Sequence, residues 1–377
     1  MLIRSLSVRN FRNIASADFI FDPKVNIFTG NNAQGKTNLC EAISVCLGKS
    51  FRNPRPGEIL PFGNTSEETA LEMCFSFDNM PDKVNTITYT QKTSSFKIRS
   101  NGIEMKEAEK LYGALRYVIF IPEDLYIVKG DPSNRRDYID SVSNMINRVH
   151  NTKLYEYNKA LKQKNNILMR IGEPDSVSLQ MIESWNETIA RAGVNVMCGR
   201  IKYFSAVSEA ADRYYGMLSG SGEKLTMKYE STVMGDTPFT GDDFRLIYET
   251  YIEKLKNSLD RELKMKYTVV GAHRDDISFL INGMPAREFA SQGQVRSIAV
   301  ALKLAEAEMI YNRSEDQPVV ILDDVLSELD ESRRSFIINH IDDFQIFITS
   351  CNLSDIGNTG HGKIWNVENG RFILKEE

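Results

Sequence analysis

The chain has 377 residues, 42% of them hydrophobic and 26% charged, with a formal net charge of −5. At roughly 100–200 residues per domain this is material for two or three domains with a sizeable core. The slight acidity excludes a protein coated all over in basic charge, but not a local basic face for nucleic acid.

The opening segment, MLIRSLSVRNFRN, lacks an apolar h-region, so no signal peptide is expected. Residues 1–30 read as strands, with partial alternation in Leu2-Ile3-Arg4-Ser5-Leu6-Ser7-Val8 and apolar runs at Phe19-Ile20-Phe21 and Val25-Asn26-Ile27-Phe28. Next comes Gly30-Asn31-Asn32-Ala33-Gln34-Gly35-Lys36-Thr37, which matches G-x-x-x-x-G-K-[ST]. It lies after an apolar strand and opens a helical segment, residues 37–47, closed by Gly48. In that setting backbone N–H groups converge on phosphates, and the helix N-terminus adds partial positive charge. Gly30 and Gly35 let the backbone wrap closely. Lys36 reaches the β- and γ-phosphates of ATP, the Thr37 hydroxyl ligates Mg²⁺, and Asn38 belongs to the same nucleotide-binding stretch.

Phe51-Arg52-Asn53-Pro54-Arg55 follows as a basic turn. Residues 70–100 alternate strongly and predict an antiparallel meander, and Tyr117-Val118-Ile119-Phe120-Ile121, stopped by Pro122, fits a buried strand. From about 133 to 217 the pattern is helical. Leu154, Tyr157, Leu161 and Leu168 form a near-heptad packing seam, and Lys153, Lys159, Lys162, Lys164 and Arg170 suggest a basic face beside it. Residues 219–242 read as loop and edge structure, residues 243–266 as helix, and strands return at residues 267–270, 277–281, 319–322 and 346–348.

Val319-Val320-Ile321-Leu322-Asp323-Asp324 is a buried-strand pattern delivering carboxylates at its C-terminal end, where ligands of open α/β sheets gather. Asp323 suits Mg²⁺ and Asp324 suits the attacking water. Lys36 and Asp323 are separated by most of the chain, unlike compact P-loop kinases and GTPases, and the absence of an NKxD sequence favours ATP over GTP. The simplest architecture is an α/β head built from both chain ends (residues 1–128 and 265–377) around a mainly helical insert (residues 129–264). No run approaches about 18 apolar residues, so no transmembrane helix and no membrane partner are expected. The five cysteines carry no CxxC pair and the four histidines no zinc spacing, so the thiols read as reduced packing residues.

Ser291-Gln292-Gly293-Gln294, ahead of a helix over residues 295–310, resembles the signature of ABC-type ATPases. Ser327-Glu328-Leu329-Asp330 resembles their D-loop. The match tightens to the RecF family. It is carried by Leu6-Ser7-Val8-Arg9-Asn10-Phe11-Arg12-Asn13, the phosphate loop with Asn38-Leu39, Ile121-Pro122-Glu123-Asp124-Leu125, Val128-Lys129-Gly130, Arg135-Arg136, His273-Arg274-Asp275-Asp276 and residues 323–330. Three departures stand out: Asp324 where ABC and SMC enzymes usually carry Glu, Ala272 where the family usually has Pro, and Ile348-Thr349-Ser350-Cys351 without the switch histidine. The shorter acid points to slow turnover, and Thr349 or Ser350 is the expected γ-phosphate contact.

The resemblance implies a P-loop ATPase of ABC/SMC-head type whose insert is a lever arm. ATP with Mg²⁺ would be held between two protomers, with Ser291, Gly293 and Gln294 of one facing the phosphate loop of the other, so that ATP drives a homodimer. It further implies weak DNA-stimulated hydrolysis, binding to duplex DNA and to gaps with single–double-strand junctions, and action with RecO and RecR to load RecA. That work belongs to replication, recombination and SOS-linked damage repair, in the cytoplasm at the nucleoid. Arg52 and Arg55 are the candidate phosphate contacts on DNA. Alternatives are another SMC-like DNA-maintenance ATPase, a transport ATPase subunit and a small-molecule phosphotransferase. The insert is too short for SMC coiled coils and has no zinc-hook CxxC, and no acceptor pocket or lid is visible for a phosphotransferase.

Overall fold

A computed structural model of the chain describes residues 1–48, 58–61, 68–77, 82–90, 95–105, 116–172, 175–220, 222–314, 317–341, 343–353, 356 and 362–375. The chain divides into two compact units, Met1–Asp124 with Ala299–Glu377, and Leu125–Ile298.

The first unit contains two six-stranded sheets. One is antiparallel, in the order β2-β1-β4-β5-β6-β7, from β1 (Leu2–Phe11), β2 (Ile14–Ile20), β4 (Glu68–Ser76), β5 (Lys83–Thr90), β6 (Ser95–Ser100) and β7 (Ile103–Met105). This is the expected meander, extended by the first two strands. The other has the order β15-β14-β3-β13-β12-β8, from β3 (Val25–Thr29), β8 (Tyr117–Phe120), β12 (Val319–Asp323), β13 (Gln345–Ser350), β14 (Lys363–Glu368) and β15 (Arg371–Leu374). Here β3, β8, β12, β13 and β14 are parallel and β15 antiparallel. Every residue of β3, β12 and β13 is buried, which explains why these strands read as largely apolar runs rather than alternating ones. Helix α1 (Lys36–Cys46) packs against β1, β4 and β5 of one sheet and β12 and β13 of the other. It buries Leu39, Cys40, Ala42, Ile43 and Cys46 between them. Aromatic rings join the strands beside β3: Phe28 stacks on Trp365 at 4.8 Å, and Phe19 meets Phe28, Trp365 and Phe372 edge-on.

The second unit is mainly helical, with α2 (Leu125–Lys129), α3 (Pro132–Ile146), α4 (Arg148–Arg170), α5 (Ser176–Ser219), α6 (Phe244–Asn257), α7 (Leu259–Met265) and α8 (Ala286–Phe289). A three-stranded sheet, β11-β10-β9, joins β9 (Leu225–Glu230), β10 (Asp276–Ile281) and β11 (Met284–Pro285). Because β10 pairs with β9, this unit runs past residue 264, where the sequence suggested an insert would end. Helix α9 (Gln292–Ser314) contains the second boundary, and α10 (Glu331–Ile341) belongs to the first unit.

Two expectations are corrected here. Residues 267–270 form no strand. Asn165 Oδ1 accepts from both the Thr268 N–H and hydroxyl at 2.8 Å, and Glu262 Oε1 accepts from the Val269 N–H at 3.1 Å, so side chains occupy the backbone donors a ladder would use. Lys164 is not on a basic surface: it is fully buried, its Nζ 2.6 Å from Glu262 Oε2. Lys153 pairs with Glu156, while Lys159, Lys162 and Arg170 are exposed. The seam is a packing feature as expected, with Leu154, Tyr157 and Leu161 in one core cluster and Leu168 in another. No described helix is long and apolar enough to cross a membrane.

Candidate nucleotide site

The phosphate loop joins β3 to α1, at the C-terminal edge of the parallel sheet. Gly30 and Gly35 have φ of 156° and 117°. A Cβ on Gly30 would stand 2.3 Å from the backbone Val367 O, and one on Gly35 2.8 Å from the side-chain Asn13 Oδ1, so backbone conformation favours glycine at both and space requires it at Gly30. Ala33 also has positive φ, at 64°. Lys36 is buried and lies over the loop, its Nζ donating to Gly30 O at 2.6 Å and Asn31 O at 3.0 Å. Asn31, Asn32 and Ala33 are exposed, and Thr37 is half-buried at the first turn of α1.

Residues far away in sequence brace this loop. Asn38 Nδ2 donates to Asn13 Oδ1 at 2.8 Å. Gln34 O accepts from Gly370 N at 2.8 Å, and Gln34 Oε1 from Asn369 N at 2.6 Å. Arg12 clamps the buried Glu41 of α1 with two bonds, 2.8 and 2.9 Å. The turn after β1 and the turn between β14 and β15 therefore both hold the loop in place. A cavity of about 450 Å³ opens beside it, lined by Gly30, Asn31, Gln34, Cys351, Asn366 and Lys375 among others.

Strand β12 brings Asp323 to the same sheet edge, opposite Thr349 of β13, while Ser350 pairs with Thr29 just before the loop. The Thr349 hydroxyl donates to Asp323 Oδ1 at 2.7 Å and accepts from Asp324 N at 2.9 Å. Asp324 has φ of 58°, and its Oδ1 is buried with no hydrogen-bond partner among the described residues. The Ser350 hydroxyl donates to Asn352 O at 3.0 Å. Both hydroxyls expected to reach the γ-phosphate are thus engaged within the protein. The side chain that approaches the loop is Cys351, with Sγ 2.9 Å from Asn32 Oδ1 and 3.8 Å from Lys36 Nζ.

In the D-loop-like segment, Ser327 Oγ donates to Asp324 O at 2.8 Å, and Asp330 caps α10 through the Arg333 N–H at 3.0 Å. In the second unit, Ser291 and Gln294 form a reciprocal cap at the start of the 23-residue helix α9. Ser291 Oγ accepts from Gln294 N at 3.2 Å and Gln294 Oε1 from Ser291 N at 2.9 Å. Gln294 Nε2 also donates to Glu223 Oε1 at 2.9 Å, and Ser291 is exposed, with Gly293 half-buried behind it. Arg52 and Arg55 lie outside the described residues.

A family model, the RecF/RecN/SMC N-terminal domain, matches residues 2–361. The chain belongs to the RecF family. It is 35% identical over 359 residues to the DNA replication and repair protein RecF of Lachnoclostridium phytofermentans, covering 95% of each chain. A solved structure of the recombination mediator RecF with ATP, described as part of the RecFOR pathway, superposes with a TM-score of 0.89 at 32% identity, covering 100% of this chain and 98% of that one. The Smc head domain from Pyrococcus furiosus shares the fold, with a TM-score of 0.57 at 14% identity over 99% of this chain and 96% of that one.

The RecF-like motifs divide by what they touch. Residues 30–37 and 323–324 share the sheet edge just described. The His273-Arg274-Asp275-Asp276 segment instead ties the second unit together. Asp276 takes two bonds from Arg135, at 2.6 and 2.9 Å, and the backbone carbonyl of Asp275 accepts from Arg136 at 2.8 Å. The buried Asp275 carboxylate accepts from Tyr229 at 2.7 Å and from Thr232 N at 3.0 Å. Lys129 Nζ donates to carbonyls at the C-terminal end of α8, including Arg287 O at 2.8 Å. The sequence did not foresee that Asn13, part of the opening motif, braces the phosphate loop, nor that Asn369 and Gly370 do, since these contacts cross between distant parts of the chain.

Proposed function

We propose that this chain is an ATP-driven switch on DNA. It binds ATP with Mg²⁺, dimerises around the nucleotide, engages duplex DNA and single–double-strand junctions, and hydrolyses ATP slowly with DNA stimulation. In this reading it acts with RecO and RecR to promote RecA loading at the nucleoid, and the helical insert is its lever arm. The observation that carries the reading is the convergence of Lys36, Thr37, Asp323 and Asp324 at one edge of a parallel sheet. It is supported by the full-length likeness to relatives named for DNA replication and repair and to a RecF structure holding ATP.

The donor set fits Mg²⁺. Thr37 and Asp323 offer the hard oxygens that this ion takes together with phosphates, and the buried Asp324 Oδ1, without a partner among the described residues, follows directly after the same strand. When bound, Mg²⁺ supplies neutralisation of phosphate charge. The chain's own part is positional. Lys36 moves from loop carbonyls to phosphate, backbone N–H groups and the α1 N-terminus bind the phosphates, and Asp324 orients the attacking water. Ser291, with the N-terminus of α9 behind it, presents donors to the γ-phosphate held by a second copy. Arg52 and Arg55 contact DNA phosphates.

The test is ATP hydrolysis and sedimentation with and without gapped duplex DNA, beside Lys36→Met. A monomer driven to dimer by ATP and a slow ATPase raised by DNA are the expected results. Hydrolysis by a protein that stays monomeric and ignores DNA would leave a P-loop ATPase without the mediator role. Ser291→Arg should abolish dimerisation, and Arg52→Ala with Arg55→Ala should weaken DNA binding and flatten its salt dependence.

A further inference from the structure

We propose that Thr349 is a positioning residue for ATP hydrolysis, one hydroxyl that sets the geometry of both acids after β12; the assignment rests on the ATPase reading above. A threonine hydroxyl has one hydrogen to donate and two lone pairs. Here the hydrogen goes to Asp323 Oδ1 at 2.7 Å, so a lone pair is what receives the Asp324 N–H at 2.9 Å. The directions are unambiguous, because a backbone N–H has no other role than donor. The residue is fully buried and stands opposite Asp323 in the β12–β13 ladder.

Two features show what this bond accomplishes. Asp324 sits at φ 58°, a left-handed conformation that a non-glycine residue holds only when surrounding contacts impose it. Its N–H is fixed by Thr349, so the hydroxyl helps impose the turn that aims the second acid. One oxygen of the Asp324 carboxylate, Oδ1, is buried with no hydrogen-bond partner among the described residues, so the backbone turn is what carries this oxygen's position. Asp323, by contrast, is held directly through its carboxylate. Removing the hydroxyl while keeping the shape would orphan the Asp324 N–H and take one bond from Asp323 together, without touching the phosphate loop.

The experiment compares Thr349→Val, which keeps the volume and loses the hydroxyl, with Thr349→Ser, which keeps the hydroxyl and loses the methyl. Steady-state ATPase gives kcat and KM. Binding of a fluorescent ATP analogue, with and without Mg²⁺, gives a readout independent of turnover. For Val, kcat should fall by about 10–100-fold, as when a group that orients a metal-binding carboxylate is lost, with KM within about twofold. Affinity for the analogue without Mg²⁺ should be unchanged, and the gain on adding Mg²⁺ should shrink. Ser should recover kcat to within about threefold of wild type. Wild-type kcat in Val, or an equal loss in Ser and Val, overturns the assignment. So does a parallel fall in kcat and in Mg²⁺-free binding, which marks a merely structural role. If Val does not fold, Thr349→Ala against Ser makes the same comparison. A wild-type chain that binds the analogue yet never hydrolyses ATP overturns the ATPase reading itself, and this assignment with it.

Discussion

The hydroxyl of Tyr157 stands 2.7 Å from Nδ1 of His273, and the protons in the chain of bonds through this pair are ordered from the histidine end. His273 Nε2 donates to the carbonyl of Thr268 at 3.0 Å, while at the far end Tyr251 Oη accepts from the Ala272 N–H at 3.1 Å. With the buried ring neutral, Nδ1 accepts from Tyr157, which in turn accepts from Tyr251, 2.9 Å away. Burial pushes the His273 imidazole down to about 4, and the nearby Arg274, Arg136 and Lys164 add to this. A depressed histidine contributes stability above its ordinary value of 6.5 and loses it as pH falls toward 4. Urea unfolding between pH 7 and 4 should show the wild type losing ground against His273→Gln across that window. Tyr157→Phe should cost about 1–3 kcal/mol at neutral pH, by leaving buried partners unmatched. A pH-independent difference between wild type and His273→Gln would refute the assignment.

A second prediction concerns Lys164 and Glu262, both fully buried and 2.6 Å apart. Lys164→Met leaves an unpaired buried carboxylate and should cost roughly 3–5 kcal/mol. Adding Glu262→Gln removes the charge and keeps an acceptor for the Val269 N–H, so the double variant should regain most of the loss. Additive effects in the double-mutant cycle would mean that the pair is uncoupled.

In the first unit, Asp124 lies 3.8 Å from Lys303, whose ammonium is 2.8 Å from Glu306. Burial pushes the Asp124 carboxyl up to about 6, with Lys303 acting against the shift and Glu306 and Glu123 adding to it. A raised carboxyl stabilises the fold below its ordinary value of 3.8, and that contribution fades as pH climbs through 6. Relative to Asp124→Asn, which still accepts the Ile121 N–H, the wild type should lose about 2 kcal/mol between pH 4 and 7. Parallel stability curves for the two proteins would contradict this.

Cys351 reports on the phosphate loop directly, through its closeness to Asn32 and Lys36. Nucleotide seated on the loop should shield it, slowing iodoacetamide labelling of the Cys351 peptide by about tenfold or more at saturating ATP. Lys36→Met, impaired in binding, should show no such protection. Equal labelling with and without ATP would place the nucleotide elsewhere.

How much of this was legible in sequence follows from how local each requirement is. The phosphate loop shows itself because tight turns, an ammonium and a hydroxyl must sit within eight positions. Residues 319–323 do so because a strand covered on both faces is apolar throughout. Thr349 was noticed for its place beside the missing histidine, but its bond to Asp323 was not, since only the register of β13 on β12 puts its hydroxyl against that carboxylate. Lys164 looked solvated because its partner lies in another helix, 98 positions away. The apolar look of residues 267–270 predicted a strand, whereas side-chain acceptors on two helices claimed its donors. In each case the deciding contact was distant in sequence.

The interleaving of chain ends in the first unit has a consequence for synthesis. Strand β3, which leads into the phosphate loop, is flanked only by β13 and β14, both formed from residues beyond 344. On the ribosome this segment, buried along its whole length in the finished fold, emerges early and waits roughly 15–60 s, at about 5–20 residues per second, before either neighbour exists. Meanwhile β1, β2 and β4 to β7 already have their full set of partners, and the second unit is translated in one piece. The nascent chain thus completes its ATP-binding edge last, so any chain truncated before residue 345 carries the loop sequence without the parallel strands that flank β3.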